Sequence, residues 1–472
     1  MVSRLTPFAA ALSALVLAAC AVGPDFHAPE TAPAGFARAG SEVVAGGNLE
    51  AKWWTLFGDV ALSDLVDQAL KANRDLAVAV TRVEEARALF KDQQLDAYPV
   101  VTANGSASKG EAPQLGANST GPRGQTENVR LGFDAAWELD LFGRVRRGTE
   151  AARADAAAAS AGLHEAQVLV AAEVARNYFE WRGSSQQLDV ARRNRDTQAE
   201  TLRLTQIRSQ TGVGTELDVA SAQARRSATE AGIPLLETQL RRAEHRLAVL
   251  LGQRPGAWQP PAPADVAASG ASLPVGEAGE LLRRRPDIAR AAAELHAATA
   301  RVGVATADYF PRLSLAGFAG FSAGSFQDLG AASRAWNVGP TLSWAAFDMG
   351  SVAARVDAAD ARSRAAAARY EQTVLTALEE TENAFVGVSQ SRLRLRHTLD
   401  QAAAARRAAE LARIRYKAGV IDFLVLLDAE RTLLAAEDAV AASETAVNTS
   451  AVALYKALGG GWGGETPGSS KV

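Results

Sequence analysis

Cys20 is the only cysteine in 472 residues, and it closes the apolar stretch LVLAAC (15–20). A lone thiol excludes a disulfide within the chain. Two readings remain for it: a small buried hydrophobe or an attachment point. The five histidines, His27, His164, His245, His296 and His397, are scattered singly. None has a histidine four residues away, so the helical zinc-hydrolase pair is missing. Gly459, Gly460 and Gly461 lack the lysine and hydroxyl residue of a phosphate loop and read as the start of a flexible tail, 460–472. Methionine occurs only at Met1 and Met349, which weakens any route for soft metals over thioether ligands. No enzyme constellation emerges, and no cofactor is called for.

The environment of Cys20 decides between its two readings. Arg4 precedes a short uncharged apolar run, Leu5 to Ala19, with small residues just before the cysteine. This is a secretory signal over 1–19, and Leu17-Ala18-Ala19-Cys20 resembles a bacterial lipobox. Cys20 is therefore expected to become the first residue and to carry covalent lipid, which adds membrane affinity for each buried methylene. Without residues 1–19 the net charge is −4, a near-neutral balance that excludes a nucleic-acid surface. No later stretch reaches 18 uncharged apolar residues, so the mature chain has no transmembrane helix.

The chain repeats itself. WELDLFG (137–143) is echoed by WAAFDMG (344–350), and TGVGTELDVASAQ (from Thr211) by AGVIDFLVLLDAE (from Ala418), both 207 residues on. NRDL (73–76) and RPDI (285–288) stand 212 apart, as do Pro99 and Pro311. The change of offset places a loop about five residues longer in the first copy. A two-fold duplication follows, with copies at 62–252 and 279–459.

Each copy switches period. Leu62, Ala69, Leu76, Val83 and Phe90 recur every seven residues, as do Ile288, Leu295, Val302 and Tyr309. Leu236, Leu240, Ala243, Leu247 and Leu250 step by four and three. These are coiled-coil seams, or the faces of ordinary amphipathic helices. Beyond Pro99 the period falls to two: Val101, Ala103, Gly105 and Ala107 alternate with Thr102, Asn104, Ser106 and Ser108. The same alternation runs through Val129 to Trp137, Leu313 to Phe321 and Trp336 to Trp344. Two β-hairpins are predicted, over 98–138 and 310–345. They fit a transmembrane barrel, apolar outward and polar inward, or a soluble sheet with one wet face. Four strands cannot close a barrel, for which about eight is the minimum. Two chains would supply eight strands and three would supply twelve. Helices are predicted over 62–97, 144–210, 215–251, 279–308, 351–416 and 420–458. Residues 144–210 alone span on the order of 100 Å. Glycine turns, with Gly212 and Gly419, separate the outgoing and returning helices, and a Pro-rich segment, 253–278, forms a belt between the copies.

CAVGPDFHAP (20–29), WWTLFGD (53–59), LDLFGRVRRG, LLRRRPDI and YKAGVIDFLVLLDAERTLL (416–434) together resemble the TolC-like outer membrane factors, in particular their lipidated OprM-like members. The resemblance covers the whole mature chain. It implies a mixed α and β fold: a trimeric 12-strand transmembrane β-barrel, four strands per chain, continued by a long α-helical coiled-coil periplasmic tunnel. It implies a homotrimer anchored in outer-membrane lipid through Cys20 and its segment 20–61. It also implies a periplasmic adaptor and an inner-membrane pump as partners, and passive conduction of small molecules such as drugs. An exit duct for protein secretion and a trimeric coiled-coil stalk are the alternatives. In the family, acidic residues beyond the periplasmic turns form rings that narrow the duct and attract cations. Asp428 matches one such position, while its acidic neighbour is Val425 here. Asp218 occupies the Val425 slot of the first copy. Asp218 and Asp422 also sit where a helix N-terminus favours a carboxylate. Arg208 and Arg415, about one turn before Gly212 and Gly419, are expected to offset the ring charge by pairing across the hairpins.

Overall fold

The structure, a computed structural model, describes residues 21–28, 44–45, 51–112, 124–261, 273–274 and 284–462. Cys20, most of the Pro-rich belt and the end of the tail lie outside them. Two compact units are present. The first comprises Met1–Glu30, Arg82–Ser160 and Arg290–Glu371; the second comprises Thr31–Thr81, Ala161–Ala289 and Gln372–Val472.

The first unit holds an antiparallel sheet of four strands, β1 (Val100–Ala112), β2 (Gly124–Leu139), β3 (Arg312–Ala323) and β4 (Arg334–Ser343), paired in chain order. Register decides what the sheet presents. Ala103 faces Phe133, Phe133 faces Ala319, and Ala319 faces Trp336. One row further, Val101 faces Ala135, which faces Gly317 and then Val338. Because successive side chains alternate faces, the apolar sets of all four strands fall on one side. That side is open: Phe133 is 60% exposed and Trp336 78%. The opposite side carries Thr102, Asn104, Asp134 and Ser314. A contiguous apolar face of this size marks a surface meant for lipid or protein. Among the described residues, β1 and β4 each keep one unpaired backbone edge.

Two tryptophans tie the sheet to the helices beside it. Trp137 Nε1 donates to the carbonyl of Ala97, and Trp344 Nε1 donates to the carbonyl of Tyr309, each at 3.0 Å.

The longest helices are α3 (Arg144–Gln210), α4 (Glu216–Leu250), α6 (Met349–Lys417) and α7 (Phe423–Ala457). In chain order α5 (Pro286–Ala307), with proline at its first position, falls between the two long helical hairpins. At that position proline costs no hydrogen bond. The seven-residue seam points inward: Leu62, Ala69, Leu76 and Val83 are buried, as are Ile288, Leu295 and Val302.

The single helix expected over 62–97 is two, α1 (Val60–Ala72) and α2 (Arg74–Leu95). Asn73 breaks it with extended backbone, φ −64° and ψ 134°. Its Oδ1 accepts from the amides of Asp75 (2.9 Å) and Leu76 (3.2 Å), starting α2, and its Nδ2 donates to the carbonyl of Leu250 at 2.9 Å, closing α4. At the corresponding place in the second half, Arg285 Nη1 donates to the carbonyl of Ala457 at 2.7 Å, closing α7. Just upstream, the WWTLFGD stretch is core. Trp53 stacks on Tyr455 at 5.3 Å, and buried Asp59 caps α1. The Asp59 carboxylate also accepts from the Tyr178 hydroxyl at 2.6 Å and from Arg182 at 3.1 Å. Burial and that carboxylate push the Tyr178 phenol well above its ordinary pKa.

The start of the tail is not free. Gly460 and Gly461 are buried. Trp462 stacks on His164 at 4.6 Å and donates to the carbonyl of Arg284 at 3.1 Å. Its polar ring N–H thus has a carbonyl partner.

Asn73→Ala removes one cap and one carbonyl bond from a buried site. It is expected to destabilise the second unit by roughly 2 kcal/mol, read as a lower midpoint in thermal unfolding followed by circular dichroism. An unchanged midpoint contradicts the dual capping role.

Candidate functional site

Two surfaces carry the polar chemistry, one in each unit. In the first unit the polar face of the sheet holds a small network. Asn104 Nδ2 donates to Asp134 at 2.8 Å, and Arg130 Nη2 donates to the same carboxylate at 3.0 Å. The Arg130 guanidinium lies 3.8 Å above the Phe318 ring. That ring is an aromatic on the polar face, yet it is 6% exposed. It lies across Gly132 and Gly320, where a Cβ would come within 2.7 Å and 2.9 Å of it. Two missing side chains thus make the floor, and a pinned cation makes the lid.

In the second unit the site is the pair of turns. α3 ends at Gln210, and Gly212 takes φ 77°; α6 ends at Lys417, and Gly419 takes φ 72°. Only glycine adopts this left-handed backbone without a Cβ penalty. The turns close with the same bonds. Val213 N donates to the carbonyl of Arg208 at 2.9 Å, and Val420 N donates to the carbonyl of Arg415 at 2.9 Å. A shared apolar cluster supports both: Leu202, Ala222, Ala412, Tyr416, Phe423 and Leu426.

Arg208 joins the two hairpins. Its Nη1 donates to the carbonyl of Tyr416 at 2.7 Å, and its guanidinium lies 4.6 Å above the Tyr416 ring. A cation from one hairpin therefore caps the C-terminus of the other hairpin's long helix, where the dipole favours it. Arg208 thus pairs across the hairpins, and among the described residues its acceptor is a helix-end carbonyl, not a carboxylate. Arg415 is exposed, and its side chain has no partner among the described residues.

The two aspartates differ. Asp218 belongs to a capping box: its carboxylate accepts from Thr215 N at 3.0 Å, and its own amide donates to Thr215 Oγ1 at 3.2 Å. Its carboxylate is held at the helix start. Asp428 is exposed and accepts from Arg431 Nη2 at 2.6 Å, a surface pair of small energetic weight. Asp422 stands at the N-cap of α7 without a side-chain cap bond.

A group not visible in the sequence lies behind the turns. Glu430, 8% exposed, accepts from Arg413 Nη2 at 2.9 Å and from Thr201 Oγ1 at 3.2 Å. Burial holds the nearby Arg225 guanidinium below its ordinary pKa; Arg431 adds to this and Glu430 opposes it. Nothing in DAER marks its glutamate as buried. Val213 and Leu217, and Val420 and Leu424, are open to solvent at matched places in the two hairpins.

Among the described residues no three metal-ligating side chains converge, and no helix is long and apolar enough to cross a membrane. The family model for outer membrane efflux proteins matches residues 65–253 and 278–460. The chain belongs to the outer membrane efflux protein family. The antibiotic efflux pump outer membrane protein ArpC of Pseudomonas putida is 33% identical over 463 residues, covering 96% of this chain and 95% of ArpC. The cation efflux system protein CusC of Escherichia coli (strain K12) is 30% identical over 470 residues, covering 97% and 99%. Among solved structures, the outer-membrane channel OprN superposes with a TM-score of 0.90 at 48% identity, covering 94% of this chain and all of that one. This efflux protein acts in the outer membrane as the exit duct of an efflux pump, and its work is conduction, not catalysis.

Arg413→Met leaves the Glu430 carboxylate buried with a hydroxyl as its remaining partner. The expected cost is about 2 kcal/mol, which corresponds to roughly 30-fold faster hydrogen exchange for α7 amides around 430. Exchange at the wild-type rate contradicts a stabilising role for the pair.

Proposed function

We propose that three copies of the chain close their sheets into a 12-strand barrel in the outer membrane. The helices then continue as a periplasmic tunnel that passively conducts small organic molecules outward. The observation that carries this reading is the sheet: one face with an apolar band from Val101 to Trp336, bounded by Lys109, Glu127 and Arg334 toward the strand ends, one largely polar face, and two edges unpaired among the described residues. In lipid an unpaired strand edge is untenable, and closure through further copies removes it. An inner-membrane pump supplies the energy, and a periplasmic adaptor joins it to the duct. The exposed Val213, Leu217, Val420 and Leu424 supply apolar contact area for that adaptor at both turns. Similar proteins are named for antibiotics, toluene and cations. The scarcity of methionine favours organic cargo over soft metals here.

We further infer that the two halves are copies of one ancestral unit. The paired bonds support this: Trp137 and Trp344 to helix-end carbonyls, Asn73 and Arg285 to the ends of the returning helices, and identical turn closures at Gly212 and Gly419. Lipid on Cys20 anchors the chain, with no other cofactor.

At rest the duct is closed at the turns, and Arg208 on Tyr416 is the intrachain tie that holds the hairpins together. Three Asp428 carboxylates, one per copy, make the ring that attracts cations, while Asp218 serves helix α4. Arg208→Ala is therefore expected to raise single-channel conductance in planar bilayers several-fold. Asp428→Asn is expected to weaken block by divalent cations added from the periplasmic side, and Asp218→Asn to leave block unchanged while lowering tip stability by about 1 kcal/mol. Wild-type block in the Asp428 variant contradicts the ring assignment.

A further inference from the structure

The residues just after Cys20 are built into the fold. Val22 N donates to the carbonyl of Phe142 at 3.1 Å, and Ala21 packs where a Cβ on Gly143 would come within 2.7 Å of it. Gly143 lies between the end of β2 and the start of α3. Gly23 lies flat on Gly303 of α5: a Cβ on Gly23 would fall 2.4 Å from the Gly303 Cα. The same glycine leaves room for the stem of Arg147, whose Cγ would be 2.9 Å from a Cβ there.

Arg147 is the centre of this seat. It is 5% exposed, although it carries a full charge. Its Nε donates to the carbonyl of Val22 at 3.3 Å, and its Nη2 donates to the carbonyl of Gly23 at 3.4 Å and to Asp25 Oδ1 at 2.5 Å. Its Nη1 donates to Glu150 at 2.8 Å. The other Glu150 oxygen lies 2.8 Å from His296 Nε2, and Phe26 stacks on the His296 ring at 4.3 Å. Asp25 is solvent-exposed, so its ion pair alone holds little. The hold comes from the buried guanidinium on main-chain carbonyls, the glycine contact and the aromatic stack.

We propose that Arg147 is a positioning residue for the lipid anchor: it seats the segment that follows Cys20 against α3 and α5, and so fixes the acyl chains beside the strand–helix junction. This rests on the reading that Cys20 is lipidated. Cys20 precedes Ala21 by one peptide, about 3.8 Å between Cα atoms. The attachment point then lies one residue from a seated segment. The seat belongs to the protein and does not depend on the lipid for its structure.

The test is hydrogen exchange of the peptide covering 21–28 in full-length protein purified from membranes. Arg147→Met keeps the stem over Gly303 and removes the donors. Its 21–28 amides are expected to exchange at least tenfold faster, with α4 and α7 at wild-type rates and incorporation of labelled palmitate unchanged. Gly23→Ala, which attacks the seat from the segment side, is expected to do the same. Cys20→Ser is expected to lose the label and to keep wild-type protection within twofold. If Arg147→Met and Gly23→Ala both retain protection, Arg147 does not seat the anchor. If Cys20→Ser loses protection as fully as Arg147→Met, the lipid holds the segment and the proposal is overturned. A Cys20→Ser chain that still takes label refutes lipidation at Cys20 and, with it, the anchor role, whereas protected 21–28 amides in that chain still identify the seat.

Discussion

A strand in hydrocarbon has no water to satisfy its backbone, so every edge of the sheet must find a partner. Among the described residues the main sheet of this chain has four strands, two open edges and one mainly apolar face. All else follows from that shortage. The apolar rows align because each hairpin keeps its register, and a slip by one residue would turn Phe133 and Trp336 to the polar side. Trp137 and Trp344 fix the strands to the neighbouring helix ends, so register and helix position are set together. Three copies satisfy the edges with twelve strands, the closure proposed above.

The helical part answers a different constraint. A long helix must end somewhere, and its last carbonyls need donors. The chain meets this at each end of the hairpins with the same few devices: glycine in left-handed backbone at the turns, and a side chain from elsewhere, Asn73 or Arg285, at the returning ends. Arg208 goes further and closes the helix end of the other hairpin. A contact that satisfies a helix terminus thereby also ties the two hairpins together. Its strength is modest, because the guanidinium sits near solvent, and a tie of modest strength suits the opening proposed above.

Much of this was legible from residue order. Alternation revealed the strands because the register gathers the apolar residues on one face and most of the polar ones on the other, and the seven-residue seam revealed the buried side of the helices, Leu62 to Val83 included. The break at Asn73 was hidden because the seam keeps its spacing across it: Ala69 and Leu76 stay seven apart whether or not the helix is continuous. Phe318 was hidden because an aromatic on a polar face has a place only where Gly132 and Gly320 lie beside it in space. Glu430 was hidden because its burial depends on Thr201 and Arg413 from two other helices. The role of Asp218 was written in the chain: Thr215 and Asp218 have the spacing of a capping box, which competes with any duct-lining role for the same carboxylate. The tail shows the limit of composition, since three glycines promise freedom, yet Trp462 beyond them finds both a ring and a carbonyl.

The central claim is that the open edges of this sheet close through other copies of the same chain. Native mass spectrometry of protein extracted from membranes in mild detergent tests it most directly, combined with infrared measurement of strand content. The account predicts an assembly of three chains that keeps its strand signal until the assembly dissociates. A stable monomer with the same strand content, or a closed dimer, would contradict it.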